Sequence, residues 1–277
     1  DSSDIFPINL SVLKNYTGHK LKNEDIKFLM QDAKQQILKN YPSQDIIHII
    51  VQNYKIDNVD YNFLPLEINC NTISADITFI CLPKKIIKDL KKLFAKINIY
   101  VNQISISSYA KSLSYKDNFN LDENIIFIDM GFNKTSIIYY KKNNIIFVNI
   151  LPIGGNHITK DLSKVLSLDL INAEKLKLSF DTDKNTIINE VQSHELVQKI
   201  IIARIEEILE LSIKPVELSI NLEKNFRFKI ILMGEGSKIL DNKFKNKISF
   251  KEEIDLLDET IADICGSALK LNKRINK

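Results

Sequence analysis

Tryptophan is absent from the chain, and cysteine, methionine and histidine are scarce, at 3, 3 and 4 residues. The cysteines, Cys70, Cys81 and Cys265, form no CxxC pair and no Cys/His cluster, which excludes the common zinc and redox motifs. Each sits among apolar neighbours. An odd number of that kind reads as reduced core thiols of a cytosolic protein, and two would pair only if the fold brought them together. No stretch reaches the roughly 18 uninterrupted apolar residues of a membrane-spanning helix. No secretory leader is visible, and the start at Asp1 rather than Met reads as the start of a piece of a longer product. GxxxxGK[ST] occurs nowhere, which excludes a P-loop. His157 and His194 lack partners at ligand or triad spacing and read as structural or surface residues. There is no Ser/His/Asp or metal-cluster arrangement, no internal repeat and no low-complexity segment. A dominant charge is missing too. The 38 basic and 35 acidic residues leave only +3, so the whole chain is not an electrostatic nucleic-acid binder.

What is present is an ordinary globular composition, 44% hydrophobic and 26% charged over 277 residues. That suffices for one large domain or two medium ones. Isoleucine, lysine and asparagine are heavily used, and much of the lysine excess reads as solvated surface. A short strand at Phe6–Val12 and a turn at Asn15–Gly18 precede a helix over Glu24–Lys39. Asn23 is its N-cap, and Ile26, Leu29, Met30, Ala33, Ile37 and Leu38 share its buried face. Strands follow at Asp45–Tyr54, Leu66–Ile68 and Ser74–Leu82. Pro83 opens a helix at Lys84–Ala95. Its lysines, with Lys96 just beyond, read first as a solvated face and second as a partner or lipid contact. A strand at Val101–Ile106 and a helix at Ser107–Tyr115 lead to the polar stretch Lys116–Asn124, the best domain boundary. Further helices are expected at Ile158–Leu166, Leu170–Ser179, Ser193–Leu211 and Asp258–Asn272, with a buried strand at Arg227–Met233.

The chemistry concentrates in residues 125–178. A buried strand (Ile125–Ile128) runs into Asp129 and Gly131. The chain returns through strands at Thr135–Tyr140 and Ile145–Leu151, then a Pro-x-Gly-Gly-Asn loop and an amphipathic helix. Such a strand-turn-strand can hold a phosphate in its first turn. Asp129 can hold Mg²⁺, directly or through water, or orient an attacking water. Gly131 lets backbone amides approach phosphate oxygens, and Thr135 adds a hydroxyl. The same residues also make an ordinary hairpin turn. Gly154 and Gly155 lie at a helix N-terminus, whose unpaired amides form an anion site or a plain capping turn. Gly234, Gly236 and Ser237 follow an apolar strand, and glycine there lets backbone pass close to a flat nucleobase and its sugar. Glu174 and Lys177 share a helix face and reach one ligand, or simply pair with each other. Three glycine turns after three strands, in this order, point to an α/β fold of the actin/Hsp70/sugar-kinase class.

The wording of these segments resembles the bacterial cell-division actin homologue FtsA. IDMGFNKTS (128–136) is similar to the family's IDIGGGTTD phosphate loop, and LPIGGNHITKDLS (151–163) to IPVGGNHITNDIA. AEKLK (173–177) is similar to AEKIK, and MGEGSKI (233–239) to the TGGGSQL adenosine loop. Upstream, KNEDIKFLMQDAKQQI and IIHIIVQNYKID resemble ITEEDIERVIEAAK and ILHVIPQEYIVD, so the likeness covers nearly the whole chain in order. It implies a two-lobed actin-like fold with an FtsA-type inserted subdomain. Residues 1–23 are then a remnant of the first-lobe core, 24–99 the inserted subdomain and 100–122 first-lobe core. Residues 123–180 are second-lobe core, 181–224 a shortened outer subdomain, and 225–277 second-lobe core with the C-terminal helix.

The resemblance implies an adaptor that links FtsZ polymers to the inner face of the cytoplasmic membrane and forms actin-like filaments. Region 181–224 would take the FtsZ C-terminal tail, other divisome proteins would be partners, and nucleic acid would not. ATP with Mg²⁺ would be a structural and polymerisation ligand, hydrolysed slowly if at all. The implied contacts are Asp129 for Mg²⁺ and water, and Gly131, Thr135, Gly154, Gly155, Glu174, Lys177, Gly234, Gly236 and Ser237 for the nucleotide. Departures from the family pattern point to a degenerate site. Phe132 and Asn133 replace glycines, Ser136 replaces Asp, Glu235 replaces Gly, and the first DIGTSK-like phosphate hairpin is missing. The basic end (Lys270, Lys273, Arg274, Lys277) is not an amphipathic anchor, so membrane contact is expected outside this chain. The alternatives are a pilus-assembly actin-like adaptor and a catalytic ATPase or small-molecule kinase of the same superfamily.

Overall fold

The computed structural model describes residues 4–61, 63, 66–116, 124–180, 194–220, 228–240, 247–250, 252–257 and 259–275. The chain divides into two compact units. One comprises residues 2–106 with the segment 143–148, the other residues 107–142 and 149–277.

The first unit is an antiparallel sheet with a helix on one face. Its strands are β1 (Phe6–Lys20), β2 (Gln44–Ile56), β3 (Val59–Tyr61) and β4 (Asn69–Pro83), in the order β1-β4-β2-β3. Helix α1 (Asn23–Asn40) buries Ile26, Leu29, Ala33 and Ile37, which recur at spacings of three and four and so share one face. Along β4, Ile73, Ala75, Ile77, Phe79 and Cys81 alternate and join the same core, as the two-residue period of a strand requires. At the helix start, the Asp25 carboxylate accepts the Lys22 amide at 2.9 Å, so the cap lies one residue before the expected Asn23.

Two turn signals in this unit mean something else in three dimensions. The chain does not reverse at Asn15–Gly18. β1 continues to Lys20, and its pairing with β4 slips between Asn15 and His19. Gly18 adopts φ +59 at that irregularity, the conformation that a bulge needs and glycine supplies. Residues 6–20 are part of this sheet through the pairing of β1 with β4. Leu66–Ile68 is a turn rather than a strand, and Val101–Ile106 forms no regular element. The continuous part of the unit runs to Ile106.

Helix α2 (Lys84–Ala95) has no buried residue and its lysines are exposed, as a solvated face requires. Its Ile87 and Ala95, with Ile99, Tyr100 and Val101, line an open apolar groove of about 540 Å³. Cys70 and Cys81 are buried free thiols, whereas Cys265 is exposed, against the expectation of three core thiols. Burial pushes the Cys81 thiol up to about 11.

The second sheet has the strands β5 (Asn124–Met130), β6 (Thr135–Lys141), β7 (Asn144–Leu151), β8 (Lys229–Met233) and β9 (Glu253–Leu256), in the order β7-β6-β5-β8-β9; all but residues 144–148 of β7 fall in the second unit. β5 pairs antiparallel with β6 and parallel with β8, and β8 parallel with β9. Ile125–Met130 and Thr135–Tyr140 are buried at every position, as in strands covered on both faces, with Asp129, Thr135 and Ser136 the polar members at the turn end. The second unit's helices are α3 (Ser107–Tyr115), α4 (Gly155–Leu166), α5 (Leu170–Ser179), α6 (His194–Ile220) and α7 (Ile261–Ile275), and a 3₁₀ turn spans Glu235–Ile239. α6 runs through Pro215, past the expected end at Leu211. A proline inside a helix costs about 3 kcal/mol. Full burial of Ile213 and Val216 on either side offsets that cost.

Arg204 of α6 grips Asp161 of α4 through two bonds, Nε to Oδ2 at 2.6 Å and Nη2 to Oδ1 at 2.9 Å. The fork geometry is specific to guanidinium. Arg204→Lys keeps the charge and loses one bond, so it should lower stability by about 1 kcal/mol. Urea denaturation followed by circular dichroism measures this, and an unchanged midpoint would show the pair to be idle.

Candidate functional site

Five of the seven glycines stand in the three turns singled out from sequence, and the second unit brings those turns together. A Cβ built on Gly154 would lie 2.5 Å from the Gly131 carbonyl oxygen, and one on Gly236 would lie 2.7 Å from the carbonyl oxygens of Gly131 and Met130. The turn after β5, the start of α4 and the turn after β8 therefore pack backbone against backbone.

Their polar groups are spent on one another. The Gly131 amide donates to the Lys134 carbonyl at 2.8 Å, closing its own turn. At the α4 N-terminus, where free amides were expected, Gly155 donates to the Gly131 carbonyl at 3.0 Å and Asn156 to the Phe132 carbonyl at 2.7 Å. The Gly154 amide donates to His157 Nδ1 at 3.2 Å, which gives that histidine a structural role. The Thr135 hydroxyl donates to the Ile153 carbonyl at 2.7 Å, and the Ser237 hydroxyl to the Gly234 carbonyl at 2.7 Å.

Glu174 and Lys177 do converge on the glycine turn. Lys177 Nζ is buried and donates to the Gly155 carbonyl at 3.2 Å, Thr159 Oγ1 at 2.9 Å and Glu174 Oε2 at 2.8 Å. Those three bonds use all three of its protons. Thr159 Oγ1 also donates to Glu174. The Glu174 carboxyl is held below its ordinary range. Burial opposes this, and the bonds from Lys177 and Thr159 outweigh it. The side chains that depart from glycine find partners too. Asn133 Oδ1 accepts from Asn156 Nδ2 at 3.0 Å, the Lys177 ammonium stands 6.0 Å from the Phe132 ring centre, and Glu235 pairs with Lys238 at 2.7 Å.

Asp129 is occupied by a residue that sequence reading missed. Lys111 Nζ of α3 lies 2.8 Å from Asp129 Oδ2 and 2.9 Å from Glu259 Oε2, and all three side chains are 3–4% exposed. Glu259 Oε2 also accepts the Gly234 amide at 3.0 Å. Among the described residues no group of three His, Cys, Asp or Glu side chains could hold a metal. A Mg²⁺-nucleotide needs an available carboxylate and free donors for its phosphates. Here the carboxylate is paired with an internal ammonium, and the amides of Gly131, Gly154, Gly155 and Asn156 are already bonded. The residues present do not fit that group.

The model for "Cell division protein FtsA" matches residues 126–270, more than half of the chain and all three turns. This chain belongs to the FtsA family. A second model, "SHS2 domain inserted in FTSA", matches residues 4–81, which fall within the first compact unit. The FtsA of Agrobacterium fabrum is 24% identical over 228 residues, covering 76% of this chain and 50% of that protein. The FtsA of Borreliella burgdorferi is 22% identical over 239 residues, covering 80% of this chain and 57% of that protein. This FtsA-family chain thus spans about half the length of these curated relatives.

Among solved structures, a PilM–PilN type IV pilus biogenesis complex matches with a TM-score of 0.60 at 12% identity, over 91% of this chain and 66% of that one. MreB5 of Spiroplasma citri bound to AMPPNP matches with a TM-score of 0.51 at 15% identity, over 70% of this chain and 66% of that one. These likenesses show the fold, which is actin-like α/β with the FtsA inserted domain.

Proposed function

We propose that this chain acts in a cell-division adaptor of the FtsA type, linking FtsZ polymers to the inner face of the cytoplasmic membrane and assembling into actin-like filaments with other divisome proteins. The observation that carries this reading is the presence of both FtsA models on one chain in order, the inserted domain at 4–81 and the main model at 126–270. No helix among the described residues is long and apolar enough to cross a membrane. In this reading membrane contact is peripheral and lies outside this chain. No step of the proposed role is routed through ATP, because Lys111 holds Asp129. The likeness to the PilM–PilN complex stays at the level of fold and gives the pilus reading no separate support.

The FtsZ tail is assigned to region 181–224, of which α6 falls within the described residues and 181–193 and 221–224 outside them. Fluorescence anisotropy with the C-terminal tail peptide of the same organism's FtsZ tests the assignment. Saturable binding is expected, weakened roughly tenfold by Lys199→Glu on the exposed face of α6. A folded sample that binds no peptide would remove the adaptor reading.

A further inference from the structure

We infer that the Lys111 ammonium is the resident cation of the second unit, standing between Asp129 and Glu259 in place of a divalent metal, so that the glycine turns keep their arrangement without Mg²⁺ or ATP. The inference concerns only this unit and holds whether or not an FtsZ tail binds.

The three residues come from three separate elements. Lys111 is on α3, Asp129 is near the end of β5, and Glu259 precedes α7. Glu259 in turn holds the amide of Gly234, in the turn after β8. One ammonium therefore ties the strand end that would face a metal to the turn that would face a nucleoside. Without it, two carboxylates would share a site from which water is excluded, and like charges so placed repel strongly. A cation is needed there, and the chain supplies its own.

The geometry is that of a hydrogen-bonded ammonium. The N–O separations of 2.8 and 2.9 Å are longer than the roughly 2.1 Å that Mg²⁺ or the roughly 2.4 Å that Ca²⁺ takes to oxygen. A metal entering the native site would have to expel a charge that is 3% exposed. Glu259 Oε1 is buried as well, and the Tyr115 hydroxyl is drawn to the same carboxylate. Shortening Lys111 removes the competing charge and frees volume for a hydrated ion. It leaves Asp129 and both oxygens of Glu259 as ligands. The substitution should convert an internal ion pair into a weak divalent-cation site.

Thermal unfolding of the chain and of Lys111→Ser, each with MgCl₂, CaCl₂ or Mg-ATP added separately, tests this. The native chain should shift by less than about 1 °C up to roughly 10 mM of any of them, since a ligand that does not bind the folded state cannot raise its midpoint. Lys111→Ser should unfold about 10 °C lower, as expected for an uncompensated buried charge pair in a chain of this size. Millimolar CaCl₂ or MgCl₂ should restore much of that loss, saturably. The triple variant Lys111→Met, Asp129→Asn, Glu259→Gln keeps the shapes without the charges and should ignore both metals. A saturable rise of several degrees in the native chain with Mg-ATP would overturn the inference, and so would a folded Lys111→Ser that ignores both metals. Should Lys111→Ser fail to fold without metal, recovery on refolding with CaCl₂ supports the inference and a flat native response decides the rest.

Discussion

Gly234→Ala is expected to cost roughly 4 kcal/mol of stability, through backbone strain and overpacking together. Gly234 adopts φ +93 and ψ 159, a region in which residues with a Cβ are essentially not found. The added carbon would strike the Asp129 carboxylate and lie 2.7 Å from the Met130 carbonyl oxygen. Neither atom can yield cheaply, because Asp129 is fixed by Lys111 and the Met130 carbonyl belongs to the end of β5. Gly18→Ala is the control. It also has positive φ, at +59, but nothing lies within 4 Å of its Cβ, so it should cost only about 1 kcal/mol. Urea denaturation of both variants measures the difference. Equal losses would mean that the turn after β8 is loosely packed and that the account of the three turns is wrong.

The second large effect is a loss of stability in acid caused by His48. This side chain of β2 is buried, and its Nε2 accepts the Ile106 amide at 3.1 Å, a bond that only the neutral ring can accept. Burial pushes its pKa down to about 4, against about 6.5 in the unfolded chain. The unfolded state therefore binds the proton first as pH falls. The histidine's contribution is fully present above about pH 6.5 and drains away toward pH 4, where about 3 kcal/mol has gone. His48→Gln keeps an acceptor and removes the titration. Stability measured at pH 7 and pH 4 should fall by about 3 kcal/mol more in the native chain than in His48→Gln. Equal falls in the two would place the acid sensitivity elsewhere.

Much of the fold was legible in the sequence because local pattern decides it. α2, α3 and α5 have the bounds expected from sequence, and β5, β6 and β7 match to within about a residue or two. Apolar period, turn chemistry and caps suffice there. The glycine turns were legible for a related reason. A close backbone approach admits only glycine, so the positions announce themselves even where Phe132, Asn133 and Glu235 depart from the family wording. β9 escaped because EIDL is short and half charged. It is a strand only because β8 lies beside it. Asn15–Gly18 misled because glycine with Asn serves a bulge as well as a turn, and only the partner strand distinguishes them.

What the sequence determined by itself was the family, the order of its segments and the place where three turns meet. What only the tertiary structure decided was what those turns hold. Lys111 lies in SSYAKSLSY, where nothing marks a lysine as buried, and its partner Glu259 is 148 residues away. Local pattern carries no information about a charge pair made across that distance. Whether Asp129 faces a metal or an ammonium depends on which side chain reaches it in the folded unit. Packing α3 beside the end of β5 brings Lys111 there, and burial makes the pairing with Asp129 and Glu259 obligatory.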